Sequence, residues 1–202
     1  MRGNNHQLMR TGITGGIGSG KSFVCRLLKE RGIRVYDCDS AAKRLMVSSP
    51  TLRRQLTKLI GPETYIKKKD AGTRKTEYVL NKPVIARFLM SSPENAKALE
   101  NIVHPAVIDD YLNSGIEWVE SAILFESGLD HYVDRIVVVT APEALRIARI
   151  MERDGITREK AQEWIDHQLP QDYLVRHADR VIVNDEQTPL LPQLEAFPFM
   201  QQ

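Results

Sequence analysis

The sequence predicts an α/β layer fold built around a parallel sheet. Continuous β-branched runs, of which "RIVVVT" (Arg135–Thr140) is the clearest, are typical of strands buried on both faces of such a sheet. Segments of helical periodicity alternate with these runs along the chain. A strand, a helix and a second strand also follow one another closely near the start of the sequence, which indicates a βαβ unit.

Length and composition limit the classes of protein to consider. The chain has 202 residues, 42% of them hydrophobic, which suits one compact domain spanning residues 1–202 with a lobe inserted into it. Lys+Arg 28 nearly cancels Asp+Glu 26, so the net charge of +2 gives no strong field for nucleic acid or an anionic membrane. Cys25 and Cys38 are expected to be reduced thiols. The oligomeric state stays open.

Neither a secretory signal nor a membrane span is expected. The first eleven residues, "MRGNNHQLMRT", contain no apolar run. Nowhere do eighteen apolar residues follow one another. We therefore expect a cytoplasmic protein with no membrane partner and no nucleic-acid partner.

The first βαβ unit can be placed residue by residue. A short strand is predicted to end near Thr14, and a helix to run from about Lys21 to Arg31. "RGIRVYD" then indicates a tight turn at Gly32 and a strand that ends at Asp37.

Later segments supply the remaining strands and a helix. Glu117–Glu126 ("EWVESAILFE") and Arg180–Asn184 ("RVIVN") are predicted partners of the Arg135–Thr140 strand. Between them, a helix with Pro142 in its first turn stops at Gly155, as helix ends prefer.

The middle of the chain, from about residue 41 to residue 114, has a mainly helical pattern. A polar break interrupts it at Ile66–Glu77 ("IKKKDAGTRKTE"). Beyond the break, Ser92 is a predicted cap and Pro93 a first-turn residue. The apolar residues that follow on one face are Leu99, Ile102, Val103 and Val107. We interpret this region as a helical lobe inserted between strands.

The glycine-rich stretch near the start matches the P-loop pattern G-x-x-x-x-G-K-[ST]. Its glycines permit positive φ and leave no Cβ in the way of a phosphate. The amides of the loop and the positive end of the following helix converge on the anion. Lys21 is predicted to bind the β- and γ-phosphates of a nucleoside triphosphate, and the hydroxyl of Ser22 to bind Mg²⁺. The predicted nucleotide-binding residues are Gly15, Gly16, Ile17, Gly18, Ser19, Gly20, Lys21, Ser22 and Phe23.

Two carboxylates follow the second predicted strand. Asp37 and Asp39 ("YDCDS") are placed at the carboxyl edge of the sheet, where open α/β folds bind ligands. One of them could accept the proton of a substrate hydroxyl during phosphoryl transfer. The alternative is that Asp39 only caps the helix "SAAKRLM" and Asp37 is a turn residue. Spacing alone leaves both open.

Arginines share one face of the helix Glu143–Arg153. Arg146, Arg149 and Arg153 are spaced three and four residues apart. A solvated helix face explains this spacing. Alternatively, the face closes over the P-loop and neutralises charge on the transferring phosphoryl group.

The P-loop alone does not name the reaction. The guanine motif Asn-Lys-x-Asp of GTPases is missing, because the only Asn-Lys, in "NKPV" at Asn81, lacks the aspartate. A small phosphotransferase therefore fits better than a nucleotide-dependent switch. A nucleoside or nucleotide kinase on the same scaffold is a further alternative.

Taken together, the motifs resemble the dephospho-CoA kinase family. They are, in order, "TGGIGSGKS", "DCDSAAK", "LENIVHPAV", "LFESGL", "RIMERDGITREKAQEWIDHQ" and "ADRVIVN". The resemblance extends from about Gly12 to Asn184. It implies a P-loop kinase fold, with a parallel sheet of about five strands flanked by helices, a helical substrate-binding lobe, and a lid near residues 143–168.

The resemblance also implies the reaction, in which ATP phosphorylates the ribose 3′-hydroxyl of dephospho-CoA. It makes Asp39 the catalytic base, with Lys21 and Arg149 as further catalytic residues. Arg153 resembles the second lid arginine, and Asn184 would lie near the adenine of ATP. The remaining acceptor-side residues that it implies are Asp37, His104 and Pro105.

The sequence departs from the family pattern in four places. Phe23 follows Ser22, where a small or hydroxyl residue is usual. Ala122 stands where proline is frequent. "VNDEQ" (Val183–Gln187) lacks the glycine that commonly follows the asparagine. In "DAGTRKTEYVLNK" the usual spacing from glycine to an arginine–leucine pair is altered.

Overall fold

The computed structural model describes residues 9–69 and 76–197. The strands are β1 (Thr11–Thr14), β2 (Val35–Asp37), β3 (Tyr65–Lys69), β4 (Thr76–Leu80), β5 (Trp118–Glu120), β6 (Arg135–Thr140) and β7 (Arg180–Val183). The helices are α1 (Lys21–Glu30), α2 (Cys38–Ser48), α3 (Pro50–Ile60), α4 (Lys82–Ser91), α5 (Pro93–Asn113), α6 (Glu143–Asp154), α7 (Arg158–Asp166), α8 (Gln171–Arg176) and α9 (Leu190–Glu195). Single 3₁₀ turns occupy Pro62–Thr64 and Leu129–Tyr132.

These elements group into two compact units, one of residues 37–115 and the other of the chain on either side of them. The flanking unit holds a five-stranded sheet in the order β2-β5-β1-β6-β7. β1 pairs in parallel with both β5 and β6, and β6 with β7. The predicted α/β fold with a parallel sheet of five strands is confirmed.

The core of this unit lies between the sheet and the helices that cover it. Ile13 on β1 and Val139 on β6 are fully buried, because parallel strands are covered on both faces. Val24 and Leu28 on α1 pack into the same cluster. A second apolar cluster joins α6 to α7 through Ile147, Ile150, Ala161 and Ile165. Cys25 and Cys38 are both buried and form no disulfide.

β5 is shorter than predicted. The strand stops at Glu120, and the chain from Ser121 onwards turns instead of continuing to Glu126. The Ser121 hydroxyl accepts a hydrogen bond from the Ile123 amide at 3.3 Å, and the Leu129 amide returns to the carbonyl of Leu124. Of the apolar residues in this turn, Leu124 is buried at 0% exposure, whereas Ile123 is 37% exposed.

The unit of residues 37–115 contains α2–α5 and a two-stranded sheet of β3 and β4. Leu52 and Leu56 on α3, and Val103 and Val107 on α5, are buried there. The hydroxyl of Ser92 caps α5 as predicted, accepting from the Glu94 amide at 3.1 Å.

The predicted polar break holds β-structure that the sequence did not indicate. β3 and β4 pair antiparallel, with Lys67 opposite Tyr78 and Lys68 opposite Glu77. Residues 70–75 of the break lie outside the described residues. The strands were missed because lysines occupy both faces of β3, so the apolar and polar residues do not alternate as a half-buried strand requires.

No helix in the described ranges is long and apolar enough to cross a membrane. The eleven-residue start, on which the expected lack of a signal rests, lies mostly outside those ranges. The division into one domain with an insertion at residues 41–114 remains a prediction.

Candidate active site

The P-loop joins β1 to α1, in the strand–loop–helix context that the motif requires. Inside it, the Ser19 amide donates to the carbonyl of Gly16 at 3.0 Å, which folds the loop on itself. The amides of Gly18, Gly20, Lys21 and Ser22 donate to no other group in the part of the chain that is described. These four donors at a helix N-terminus form a binding site for an anion.

Gly20, like Gly18, is a P-loop glycine with positive φ. It is the N-cap of α1 with φ of 87°, a left-handed conformation. The side-chain amide of Asn184 occupies the position that a Cβ on Gly20 would need. That amide donates to the carbonyl of Ser19 at 2.8 Å, and the backbone amide of Asn184 donates to Thr140 at 2.8 Å. The end of β7 is therefore tied to the P-loop through Asn184.

Gly20→Ala is expected to lower stability and nucleotide affinity more than Gly32→Ala does. Both glycines have positive φ, so alanine at either position lowers the free energy of unfolding by about 1–2 kcal/mol. This corresponds to a fall of roughly 2–8 °C in Tm. Only at Gly20 would the new methyl group displace Asn184, because nothing lies within 4 Å of a Cβ on Gly32. Thermal unfolding and ADP titration test this, and equal losses in the two variants would contradict it.

Lys21 and Ser22 share one carboxylate partner, Glu120. Lys21 Nζ lies 2.5 Å from Glu120 Oε1, and Ser22 Oγ lies 3.3 Å from the same oxygen. The side chains of the ion pair are only 12% and 11% exposed. Glu120 ends β5, the strand next to β1, which puts its carboxylate beside the P-loop.

No role for Glu120 was predicted from the sequence. The predicted strand continued to Glu126 and so placed Glu120 in its middle. The argument from a carboxylate at the end of a strand, applied to Asp37 and Asp39, therefore did not point to Glu120. Burial raises the pKa of the Cys25 thiol, and the nearby Glu120 carboxylate raises it further. The thiol therefore stays protonated and packs in the core.

The oxygens beside Lys21 suit a magnesium ion. The Ser22 hydroxyl and the Glu120 carboxylate are hard oxygen ligands. No group of three or more His, Cys, Asp and Glu side chains able to hold a metal occurs in the described residues. This donor set fits Mg²⁺, which is usually bound by one or two protein oxygens together with phosphates and water.

Arg146 is buried against the P-loop. It is 4% exposed, and its Nε donates to the carbonyl of Ile17 at 2.9 Å. Burial lowers the pKa of its guanidinium. The Ile17 amide in turn donates to Gln168 Oε1 at 2.7 Å, a contact that the sequence did not indicate. The alternative of a solvated arginine face is therefore wrong for Arg146.

Arg149 also reaches the loop, while Arg153 does not. Nη1 of Arg149 donates to the carbonyls of Gly18 and Ser19 at 3.2 and 3.4 Å. Arg153 instead pairs with its neighbour Asp154 at 2.6 Å and makes no bond to the P-loop within the described residues. Arg149 thus lies against the P-loop with its Nη1 bonded to backbone carbonyls, and its predicted catalytic role stays a prediction. The nucleotide-binding role predicted for Arg153 stays a prediction.

Phe23 contributes little to the loop. Its side chain is 43% exposed and stacks under the guanidinium of Arg26 at 4.8 Å. Its amide donates to the carbonyl of Gly20 at 3.0 Å, so that donor is used inside α1. A phosphate contact from Phe23 stays a prediction.

The other unit carries the predicted acceptor-side residues. Asp37 is the N-cap of α2, accepting from the Ser40 amide and hydroxyl, each at 2.9 Å. The alternative in which Asp39 is the cap is therefore wrong. Asp39 lies in the first turn of α2, is exposed, and accepts no hydrogen bond from the described residues. Its carboxylate is available for a ligand.

His104 and Pro105 lie within α5, which continues through the proline. Burial lowers the pKa of His104, which favours the neutral imidazole. Their predicted contact with the acceptor stays a prediction.

The fold and the loop together define a class of protein. A P-loop between the central strand and the first helix of a parallel five-stranded sheet is the arrangement of P-loop kinases. A solved Acinetobacter baumannii shikimate kinase has the same fold, with a TM-score of 0.52 at 14% identity over 94% of this chain and 90% of the other.

Comparison with known sequences then identifies the family. The profile of the dephospho-CoA kinase family matches residues 9–189. A dephospho-CoA kinase from Chlorobaculum tepidum is 40% identical over 183 residues, which cover 86% of this chain and 85% of that protein. A solved protein from Thermus thermophilus is 33% identical with a TM-score of 0.72, covering 93% of this chain and 92% of the other. The chain belongs to the dephospho-CoA kinase family, whose members are ATP-dependent kinases.

Proposed function

We propose that the protein transfers the γ-phosphoryl group of Mg·ATP to the ribose 3′-hydroxyl of dephospho-CoA, giving coenzyme A and ADP. Membership of the family supports the reaction and the acceptor. The observation that carries the donor half is the P-loop, with four unengaged amides beside Lys21. Use of ATP also fits the cytoplasmic location that the sequence predicts.

In this proposal each of the two units holds the residues that bind one of the two substrates. Lys21 and the loop amides bind the phosphates of ATP, while Ser22 and Glu120 hold Mg²⁺. When bound, the ion neutralises charge on the phosphates. Asp39 lies in the other unit and accepts the proton of the 3′-hydroxyl as that oxygen attacks phosphorus. His104 and Pro105 are proposed to contact the acceptor in the same unit.

Glu120 has two partners in succession under this scheme. Without nucleotide, its carboxylate neutralises the Lys21 ammonium at 2.5 Å. The phosphates of ATP then compete for that ammonium, since they carry more negative charge than one carboxylate. This exchange leaves Glu120 beside Ser22 and available to the metal.

An acceptor panel tests the proposed function. ADP release is followed with ATP and dephospho-CoA, AMP, UMP or uridine, and the product is identified by mass. We expect rapid turnover with dephospho-CoA alone and a product with the mass of coenzyme A. Phosphorylation of AMP, UMP or uridine without that of dephospho-CoA would indicate a nucleotide or nucleoside kinase instead. Turnover that depends on a protein partner would indicate a switch.

A further inference from the structure

Glu186 adopts a backbone conformation that its residue type disfavours. Its φ is 66°, and it is the sole non-glycine residue with positive φ in ranges 9–69 and 76–197. Glycine takes this conformation freely, whereas an L-residue with a Cβ does so at a cost. A glutamate at this position therefore needs a reason that lies in its side chain.

The Glu186 carboxylate contacts Arg149. Arg149 Nη2 donates to Glu186 Oε1 at 3.0 Å and to the carbonyl of Asn184 at 3.1 Å. Its Nη1 donates to the P-loop carbonyls of Gly18 and Ser19. Both terminal nitrogens of the guanidinium are thus occupied, and they connect the P-loop to the chain after β7.

The turn that contains Glu186 does not need this contact to form. The Asp185 carboxylate accepts from the amides of Gln187 and Thr188 at 3.0 and 2.7 Å, which closes the turn locally. Gln193 bonds both the amide and the carbonyl of Val183. Arg149 and Asn184 are therefore the residues through which this turn is joined to the P-loop.

Stability does not explain the glutamate. Its side chain is 64% exposed, so solvent screens the pair with Arg149 and leaves it a small contribution. The positive φ of Glu186 lowers the stability of the folded protein. The residue that would remove this cost, glycine, would also remove the carboxylate.

We propose that Glu186 is a positioning residue for nucleotide binding. Its carboxylate fixes the Arg149 guanidinium and so holds the turn after β7 in place against the P-loop. This inference rests on the proposed function in one respect, since it takes ATP to be the donor and its adenine to lie beside Asn184, as the family resemblance implies. The base then needs the turn held in place, whereas the phosphates need only the P-loop.

The test compares ADP with tripolyphosphate, which has phosphates and no base. Binding of each is measured by calorimetry for the full chain, Glu186→Gln and Glu186→Gly. We expect both variants to weaken ADP binding by about fivefold, the most that the loss of a solvent-screened pair allows. Tripolyphosphate affinity should stay within about twofold. No acceptor is present, so failure of the proposed reaction would leave this measurement intact.

Glu195→Gln is the matched control. Glu195 lies in α9, is 66% exposed, and has Arg31 Nη2 at 3.7 Å, so it also loses a screened arginine partner. It should change neither affinity. Thermal unfolding separates positioning from stability, because Glu186→Gly relieves the backbone and should melt above Glu186→Gln.

Three results would overturn the proposal. Equal loss of ADP and tripolyphosphate affinity would show that Glu186 acts on the binding of the phosphates and not on that of the base. Tighter tripolyphosphate binding in Glu186→Gln would show that the carboxylate merely competes with phosphate for Arg149. A Tm for Glu186→Gly below that of Glu186→Gln would show that the side chain is kept for stability.

Discussion

Asp39→Asn is expected to lower kcat by about 10²- to 10⁴-fold and to leave the affinity for ADP nearly unchanged. The amide keeps the shape of the side chain but cannot accept the proton of the attacking hydroxyl. The proposed nucleotide contacts belong to the unit that flanks residues 37–115, so the substitution removes none of them. Steady-state kinetics with saturating acceptor, together with ADP titration, measure both quantities.

A loss of stability cannot account for the expected loss in kcat of Asp39→Asn. A carboxylate in the first turn of a helix contributes about 0.3–1 kcal/mol through the helix dipole. The expected rate loss corresponds to about 2.7–5.4 kcal/mol in the barrier, which is several times larger. Asp109→Asn removes an exposed carboxylate from α5 of the same unit and serves as the control. Near-normal kcat for Asp39→Asn would rule out its role as the base.

The parts of the fold that sequence predicts well are those with a strong local signal. Arg135–Thr140 is a run of β-branched residues, and the structure has a strand with the same bounds. The helix between Pro142 and Gly155 was also predicted, although the structure makes Pro142 the N-cap of α6 and not a first-turn residue. The β3–β4 pair lacked such a signal, because a strand rich in lysine shows no apolar face. Each residue's partner lies 7 to 15 residues away in the other strand, and the periodicity of one segment does not report that pairing.

In the candidate site, too, the residues with a local sequence signal could be predicted, and those that depend on a distant partner could not. The P-loop could be recognised because glycine spacing reports backbone geometry within eight residues. Glu120 could not be assigned, because its partner Lys21 lies 99 residues earlier in the chain. Glu186 and Arg149 are 37 residues apart, and the sequence at 183–187 shows only that the usual glycine is missing. Arg146 showed the right spacing, but spacing does not distinguish a buried guanidinium from a solvated one.

Asp37 and Asp39 show how one local detail decides which residue caps a helix. From sequence, Asp39 was the candidate cap of the helix that follows, and Asp37 was taken as a turn residue. In the structure the cap is Asp37, two residues earlier than the alternative required. An N-cap accepts from amides two or three residues ahead, and Ser40 meets this condition for Asp37. Asp39 is therefore free of a structural duty that would compete with catalysis.

Lys21→Ala is expected to abolish measurable turnover and also to destabilise the protein by about 3 kcal/mol. Turnover is lost because no ammonium remains for the β- and γ-phosphates. Stability is lost because Glu120, 11% exposed, keeps its charge without its partner. Removing one member of a buried pair costs about 3–5 kcal/mol, and the remaining exposure places this pair at the lower end. The Tm should fall by roughly 6–12 °C.

The double variant Lys21→Ala/Glu120→Gln separates these two losses. Neutralising Glu120 removes the unpaired charge, so we expect most of the lost Tm to return while turnover stays absent. Thermal unfolding and the coupled ADP assay are run on the single and double variants together. If the double variant melts no higher than Lys21→Ala, the stability loss arises elsewhere in the loop and Glu120 is not the source. If Lys21→Ala keeps its turnover, the P-loop does not bind the donor, and the proposed mechanism fails with it.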